Sequence, residues 1–258
     1  NGENKILFSA GDRIIKQPYE FGKAFQNRMG LNNYIEISGL NLSMLHTSTI
    51  YTTTPPGTYD QAVYNMQDSN FDNFSAQMGT SGSNYFKYLK NHIGSNQAIN
   101  FLAYKKDGSS GIYHGVVIAQ NKVNAVIHNA APFLYQTSLQ TYDYLISKIW
   151  IGAFRGTNGT TPSNYANSDQ KFNGFRFYSR SLPEGESLYA YAHGLGSDPQ
   201  LRSGLEINID CNFAEILDFS ALQDGSDMRV GCRDYSGNNR HGEIINLPAG
   251  TLQEQLDW

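Results

Sequence analysis

The chain of 258 residues reads as an all-β protein, a two-sheet antiparallel β-sandwich with short helical turns. Three observations lead there. Apolar and polar residues alternate with a period of two through most of the sequence, which is the spacing of strands with one buried face. Clusters of Gly, Asn, Asp, Ser and Pro interrupt these runs at short intervals, as turns between strands require. Sustained helical periodicity is scarce, and a chain of this length is commonly one large β domain.

Taken in order, strands are expected at 33–38 (NYIEIS), 47–53 (TSTIYTT), 85–90 (YFKYLK), 98–104 (AINFLAY), 111–119 (GIYHGVVIA) and 122–129 (KVNAVIHN). Between 98 and 129 the connections are short, with Asp107-Gly108 in one and Asn121 in the other, which predicts hairpins and a meander. Further strands follow at 147–154 (SKIWIGAF), 172–180 and 205–210 (LEINID). In the stretch FNGFRFYSRSLPEGESLYAY (172–191), Phe175 and Phe177 alternate with Arg176, Tyr178 and Arg180, so one face is apolar and the other is expected to meet water. A short helix should then start at Ser181 as cap, with Pro183, Glu184 and Glu186 in the first turn and Leu182, Leu188 and Tyr189 against the sheet. Two longer connections, 53–61 (TTPPGTYDQ) and 155–170 (RGTNGTTPSNYANSDQ), should be exposed loops of the length that often carries function.

Composition narrows the partners. With 16% charged residues and a net charge of −4, the chain lacks the basic surface that a phosphate backbone attracts, so nucleic acid is not expected. No apolar run approaches the roughly 20 residues that span a bilayer, and no membrane insertion is expected. The start of the chain lacks a basic region followed by an apolar core, so no signal peptide is visible, which leaves export open. Aromatic residues make up 13%, with Tyr far commoner than Trp, and Tyr can pack its ring while its hydroxyl serves a wet surface. Cys211 and Cys232 are too few for a disulfide scaffold; they are either reduced buried thiols or a pair across neighbouring strands. The six histidines show no zinc-binding spacing.

With Ile151, Gly152 and Ala153 closing one strand, and Phe172, Gly174, Tyr178, Arg180, Leu182 and Glu186 after a variable loop, the chain resembles the laminin-G-like, concanavalin A-like jelly-roll family. MGLNNYIEISGLNLS (29–43) is similar to that family's early strand, and CRDYSGNNRHGEI (232–244) to its opening motif, which normally precedes the first strand and here follows the last. The resemblance implies an N-terminal extension (1–28), a laminin-G-like β-sandwich (29–198), and a C-terminal segment (199–258) that completes the sandwich or begins a further module. Arg180 is then expected to bond a loop carboxylate or carbonyls. The end of the chain, NLPAGTLQEQLDW, is similar in composition to bacteriophage structural proteins.

What the family resemblance implies for function is recognition of a glycan or surface polysaccharide by a non-catalytic, lectin-like adhesion module, at a cell surface, outside the cell or on a virion. Rim loops would bind through Tyr59, Asp60, Asn84, Tyr85, Asn158, Asn164, Tyr165 and Asp169, rings stacking on sugars and amides or carboxylates meeting hydroxyls. Related domains often hold Ca²⁺ with loop carboxylates; Asp107, Asp169 and Asp234 are the candidates, without a spacing that assigns them. One alternative is a structural virion or surface-assembly protein whose sandwich contacts other subunits, favoured if the N-terminal segment KILFSAGDRIIKQPYEFGKAF exposes an apolar patch. The other is a glycoside hydrolase or lyase. Its nearest motif is Glu206, Asn208 and Asp210 on one strand face, expected to be a solvent-facing polar stripe because Asn208 cannot serve as a carboxylate. Glu215 and Asp218 have the spacing of a helical turn.

Overall fold

The structure, a computed structural model, describes residues 8–9, 12–13, 25–26, 32–43, 46–53, 61–67, 73–79, 85–92, 95–103, 112–119, 123–128, 131–134, 145–154, 161–162, 164–165, 171–180, 201–211 and 213–257. In chain order the strands are β1 (Phe8–Ser9), β2 (Asp12–Arg13), β3 (Phe25–Gln26), β4 (Tyr34–Ile37), β5 (Leu42–Ser43), β6 (His46–Thr53), β7 (Gln61–Gln67), β8 (Asn73–Gly79), β9 (Tyr85–His92), β10 (Ser95–Ala103) and β11 (Ile112–Ala119). Then come β12 (Val123–His128), β13 (Ala131–Leu134), β14 (Leu145–Ile146), β15 (Lys148–Ile151), β16 (Ala153–Phe154), β17 (Asn164–Tyr165), β18 (Lys171–Tyr178), β19 (Leu205–Asp210), β20 (Glu215–Asp218), β21 (Met228–Cys232) and β22 (Gly242–Ile245), followed, among the described residues, by one short helix, α1 (Leu252–Asp257).

Two antiparallel sheets make the sandwich. One has nine strands in the order β10-β9-β8-β7-β15-β4-β22-β21-β20; the other has seven, ordered β13-β12-β11-β6-β18-β19 with β3 also on β18. On the inner face of the first, Tyr64, Ile151, Ile35 and Ile244 lie in one row and Met66, Ile149 and Ile37 in the next. The second sheet faces them with Ile50, Phe175 and Ile209 in one row and Ser48, Phe177 and Ile207 in another. The apolar side chains of these rows are buried in one cluster, and Ser48 is buried beside them. Across the layers Ser48 Oγ and Tyr64 OH share a hydrogen bond of 2.8 Å, and the rings of Tyr64 and Phe175 lie 5.5 Å apart. The Tyr64 hydroxyl thereby enters the core with its polar atom satisfied.

Several expectations need correction. The meander expected over 98–129 holds in part: β11 and β12 pair antiparallel as expected, whereas β10 and β11 fall in different sheets, and β10 instead closes a run from β7, of which β7 and β8 were not foreseen. A Gly-containing connection suits a crossing between layers as well as a hairpin, and the partners decide which forms. The second face of β18 does not meet water: Arg176 is only 2% exposed, and Thr49, Tyr178 and Asn208 around it are buried too. Its guanidinium is accommodated there because Nε donates to Asn208 Oδ1 at 2.9 Å. Asn208 and Asp210 are likewise buried, so the expected solvent-facing stripe on β19 is absent. Glu215 and Asp218 sit on strand β20, paired with β21, and not on a helical turn. The predicted strand 147–154 breaks at Gly152, whose φ of +83° lets the chain leave β15 and start β16. The helix expected from Ser181 lies outside the described residues.

The C-terminal strands occupy places inside the sandwich. β19 pairs with β18 in one sheet, while β22 pairs with β4 in the other. Close approach of β22 to its neighbours explains a glycine: a Cβ on Gly242 would stand 2.4 Å from Ile35 Cγ2, and Ile35 is fully buried. Gly242→Ala should therefore lower stability by about 1–3 kcal/mol, read as a lower urea midpoint with an unchanged slope.

Candidate functional site

The outer face of the nine-stranded sheet carries an aromatic and carboxylate group built on β4, β15 and β17. Alternation that sends Ile35, Ile37, Ile149 and Ile151 inward sends Tyr34, Glu36, Lys148 and Trp150 outward. Trp150 Nε1 donates to Glu36 Oε2 at 2.8 Å, and Lys148 Nζ lies 2.9 Å from Glu36 Oε1, so one carboxylate holds both neighbours. The Tyr34 ring meets Trp150 edge-on at 5.7 Å and Tyr165 at 6.2 Å. Burial, and then the charge of Glu36, push the Tyr34 hydroxyl well above its ordinary pKa, which keeps it a neutral donor. Tyr165 is the partly buried outer member; its backbone pairs with Ala153 and its hydroxyl donates to Pro162 O at 3.2 Å. A ring fixed this way can stack on an apolar ligand face.

A second polar assembly is the loop 233–241. Its organiser is Asp234, which is buried. Oδ1 accepts from Asn208 N (2.8 Å) and Ser236 N (2.9 Å); Oδ2 accepts from Ser236 Oγ (2.7 Å) and Arg240 N (2.9 Å). The loop is thus anchored on β19, where Asn238 Nδ2 donates to Glu206 O and Ser236 Oγ lies 3.0 Å from the same oxygen. Arg240 forms an ion pair with Glu206, and Arg233 holds Glu215 so that its carboxyl lies below the ordinary range. Asp234 N donates to His241 Nδ1 at 3.1 Å, a bond that the ring can accept only when that nitrogen is unprotonated. Burial also pushes the His241 imidazole below its ordinary value of 6.5.

Of the residues expected to bind, Tyr165 is at the aromatic group, and Asn164 precedes it on β17, paired with Phe154. Tyr85 begins β9, opposite Gly79 and Ala103. Tyr59, Asp60, Asn84, Asn158 and Asp169 lie outside the described residues, as does Asp107. Asp234, a Ca²⁺ candidate, uses its carboxylate on the loop itself, and the described residues contain no group of three or more His, Cys, Asp or Glu placed to hold a metal. Among the described residues no helix is long and apolar enough to cross a membrane. Arg180 meets its expectation: Nε donates to Ser203 O at 2.8 Å. Sequence reasoning missed Tyr34, Glu36 and Trp150. Their signal was present, since Trp150 alternates with the inward isoleucines of a strand otherwise read correctly.

No protein-family model matches the chain, and no curated protein matches it in sequence. Solved structures do. A native heptameric SAP-like pentraxin from Limulus polyphemus superposes with a TM-score of 0.51 at 10% identity, over 70% of this chain and 86% of that one. Domains LG4-5 of the mouse laminin alpha1 chain give a TM-score of 0.45 at 11% identity, over 80% of this chain and 52% of that one. The CBM40 of a Ruminococcus gnavus IT-sialidase, bound to alpha2,6 sialyllactose, gives 0.42 at 12% identity over 67% and 97%. At such identity the likeness to the pentraxin is one of fold, and the fold is the concanavalin A-like jelly-roll sandwich.

Two outcomes follow from the loop. Asp234→Ala removes an acceptor of four hydrogen bonds and should destabilise the protein by about 2–4 kcal/mol, equally with added Ca²⁺ and with chelator, in chemical denaturation. The folded pKa of His241 lies below its unfolded value, so its stabilising contribution is complete above about pH 6.5 and is lost as pH falls through the folded pKa. Stability should then decline as pH falls below about 6.5, and His241→Asn, which keeps an acceptor without titrating, should flatten that part of the curve. Protonation of Glu215 would add its loss only below its ordinary 4.5.

Proposed function

We propose that this protein is a non-catalytic carbohydrate-recognition module, displayed outside the cell on a cell surface or virion for attachment to a glycan or surface polysaccharide. The observation that carries the reading is Tyr165, a partly buried ring packed on Tyr34, which is itself held by Trp150 and the Glu36 carboxylate beneath it, on a lectin-like sandwich. A braced ring loses little conformational freedom when a sugar stacks on it. Asn164 beside it, and the loop residues Tyr59, Asp60, Asn84, Tyr85, Asn158 and Asp169, would extend the same contact. The non-catalytic part of the proposal draws support from β19. Glu206 is engaged by Arg240 and Asn208 by Arg176, which leaves that strand without a pair of carboxylates set for nucleophile and acid.

A second reading, protein contacts within a larger assembly, is favoured by one feature. Strand β20 lies at an edge of the nine-stranded sheet, and the turns flanking it expose Phe213 (62%) and Leu222 (83%).

Binding of the purified chain to a broad glycan panel, with and without Ca²⁺, tests the first reading. Saturable binding is expected, weakened about tenfold or more by Tyr165→Ala, which corresponds to about 1.4 kcal/mol, and largely kept by Tyr165→Phe because the ring remains. Absence of binding together with a stable trimer or larger species in light scattering, dispersed by Leu222→Lys, would replace it with the assembly reading.

A further inference from the structure

The two cysteines, far apart in the sheets' own ordering, are brought opposite each other by the loop that Asp234 organises. Ile209 and Asp234 form an antiparallel bridge, which links the end of β19 in one sheet to the residues just after β21 in the other. In an antiparallel register each step forward on one chain is a step back on its partner, so two residues on from that bridge Cys211 faces Cys232. The type of pair matters as well. Tyr235 N donates to Asn208 O at 2.8 Å, so the bond flanks the Ile209–Asp234 pair, which marks it as the non-hydrogen-bonded kind. The kinds alternate, so the cysteines two residues away are again a non-hydrogen-bonded pair, with Cα atoms about 4.5 Å apart in a regular ladder and side chains leaning together. A disulfide needs a Cα separation of roughly 4.4–6.8 Å. Both thiols are free and buried, in the same apolar cluster as Ile207 and Ile209, and the chain has no third cysteine to compete.

We propose that Cys211 and Cys232 are an oxidisable dithiol that closes into an intrachain disulfide, stapling the seven-stranded sheet to the nine-stranded one. The oxidant is a small-molecule disulfide of the glutathione type. One cysteine thiolate attacks a sulfur of the oxidant, forming a mixed disulfide and releasing one thiol; the second cysteine thiolate displaces the other. The protein thus loses two protons and two electrons, and one molecule of oxidant becomes two of thiol. In the folded protein the Cys211 thiol is held in its neutral form, first by its hydrogen bond to Cys232 and then by burial. Exchange therefore proceeds before the strand ends close or when they open, and the finished bond is shielded from reductants. The bond encloses β20 and its flanking turns, so it acts on the unfolded chain by closing a loop there.

The test compares the wild-type chain with itself. It is unfolded in reductant and refolded in a buffer of reduced and oxidised glutathione, then alkylated, digested and mass-analysed beside a sample kept reduced throughout. The expected result is a cross-linked Cys211–Cys232 peptide pair short of two hydrogens, in monomeric protein. Its folded-to-unfolded ratio should exceed that of the reduced sample by roughly one to two orders of magnitude in denaturant titration. Two alkylated cysteines, stable glutathione adducts, intermolecular dimers, or a denaturation midpoint equal to that of the reduced protein would each overturn it. A Cys211→Ala, Cys232→Ala variant gives the remaining control, since its midpoint should not change between the two buffers.

Discussion

The carboxylate of Asp234 is the interaction on which the C-terminal third of the structure depends. It gathers four donors from three places: the backbone of β19, Ser236, and the backbone of Arg240. A carboxylate can accept that many bonds in a small volume, and each is strengthened by its charge. The consequence is geometric. The chain leaving the nine-stranded sheet is turned onto the seven-stranded one and returned, through His241, to enter the first sheet again as β22 beside β4. Without that turn, Glu206 would lack Arg240, and the cysteines would not be opposed.

Burial on both faces of a strand has to be matched by polar pairing, and this protein does so unevenly. The inner faces are aliphatic and aromatic, with a hydroxyl pair, Ser48 and Tyr64, spanning the layers. The second faces of β18 and β19 hold Arg176 and Asn208, where a charged group is tolerated because its donor reaches a fixed amide. On the outer side of the nine-stranded sheet the solution is different again. Glu36 sits between the Trp150 indole and the Lys148 ammonium, so a large ring is covered while its N–H stays bonded. That arrangement holds Tyr34 and, through it, Tyr165. The Tyr165 ring is therefore supported by strands and not by loop packing alone.

The stability of the sandwich and its surface chemistry come from different elements. Strands β4 and β15 are central in their sheet, and both contribute to the core on one side and to the aromatic group on the other. Strand β20, at the edge, contributes little to the core and leaves Phe213 and Leu222 in contact with water. Recognition by the first region would leave the fold undisturbed, whereas contacts at the second would extend a sheet edge.

The sequence alone determined the class of fold and much of its strand content. Phe175 and Phe177, or Ile149 and Ile151, announce an inward face because alternation is a property of residues two apart in the same chain. It also marked Tyr165 as a candidate, since Tyr and Asn in a Gly-rich segment signal an exposed connection, and it left Arg180 to bond either a loop carboxylate or a carbonyl, of which the structure supplies Ser203 O. What it did not carry was anything set by a partner remote in the chain. Arg176 has the pattern of a solvent-facing strand residue, and only the coverage of its face, with Asn208 at hand, makes it a buried one. The Asp107-Gly108 connection has the composition of a hairpin, yet its flanking strands pair with different neighbours. Glu215 and Asp218 have a helix-like spacing that pairing with β21 overrides. Trp150, Tyr34 and Glu36 come together across two strands, and Cys211 with Cys232 across two sheets, because register is fixed by packing between segments and by the loop bonds of Asp234, which no local period encodes.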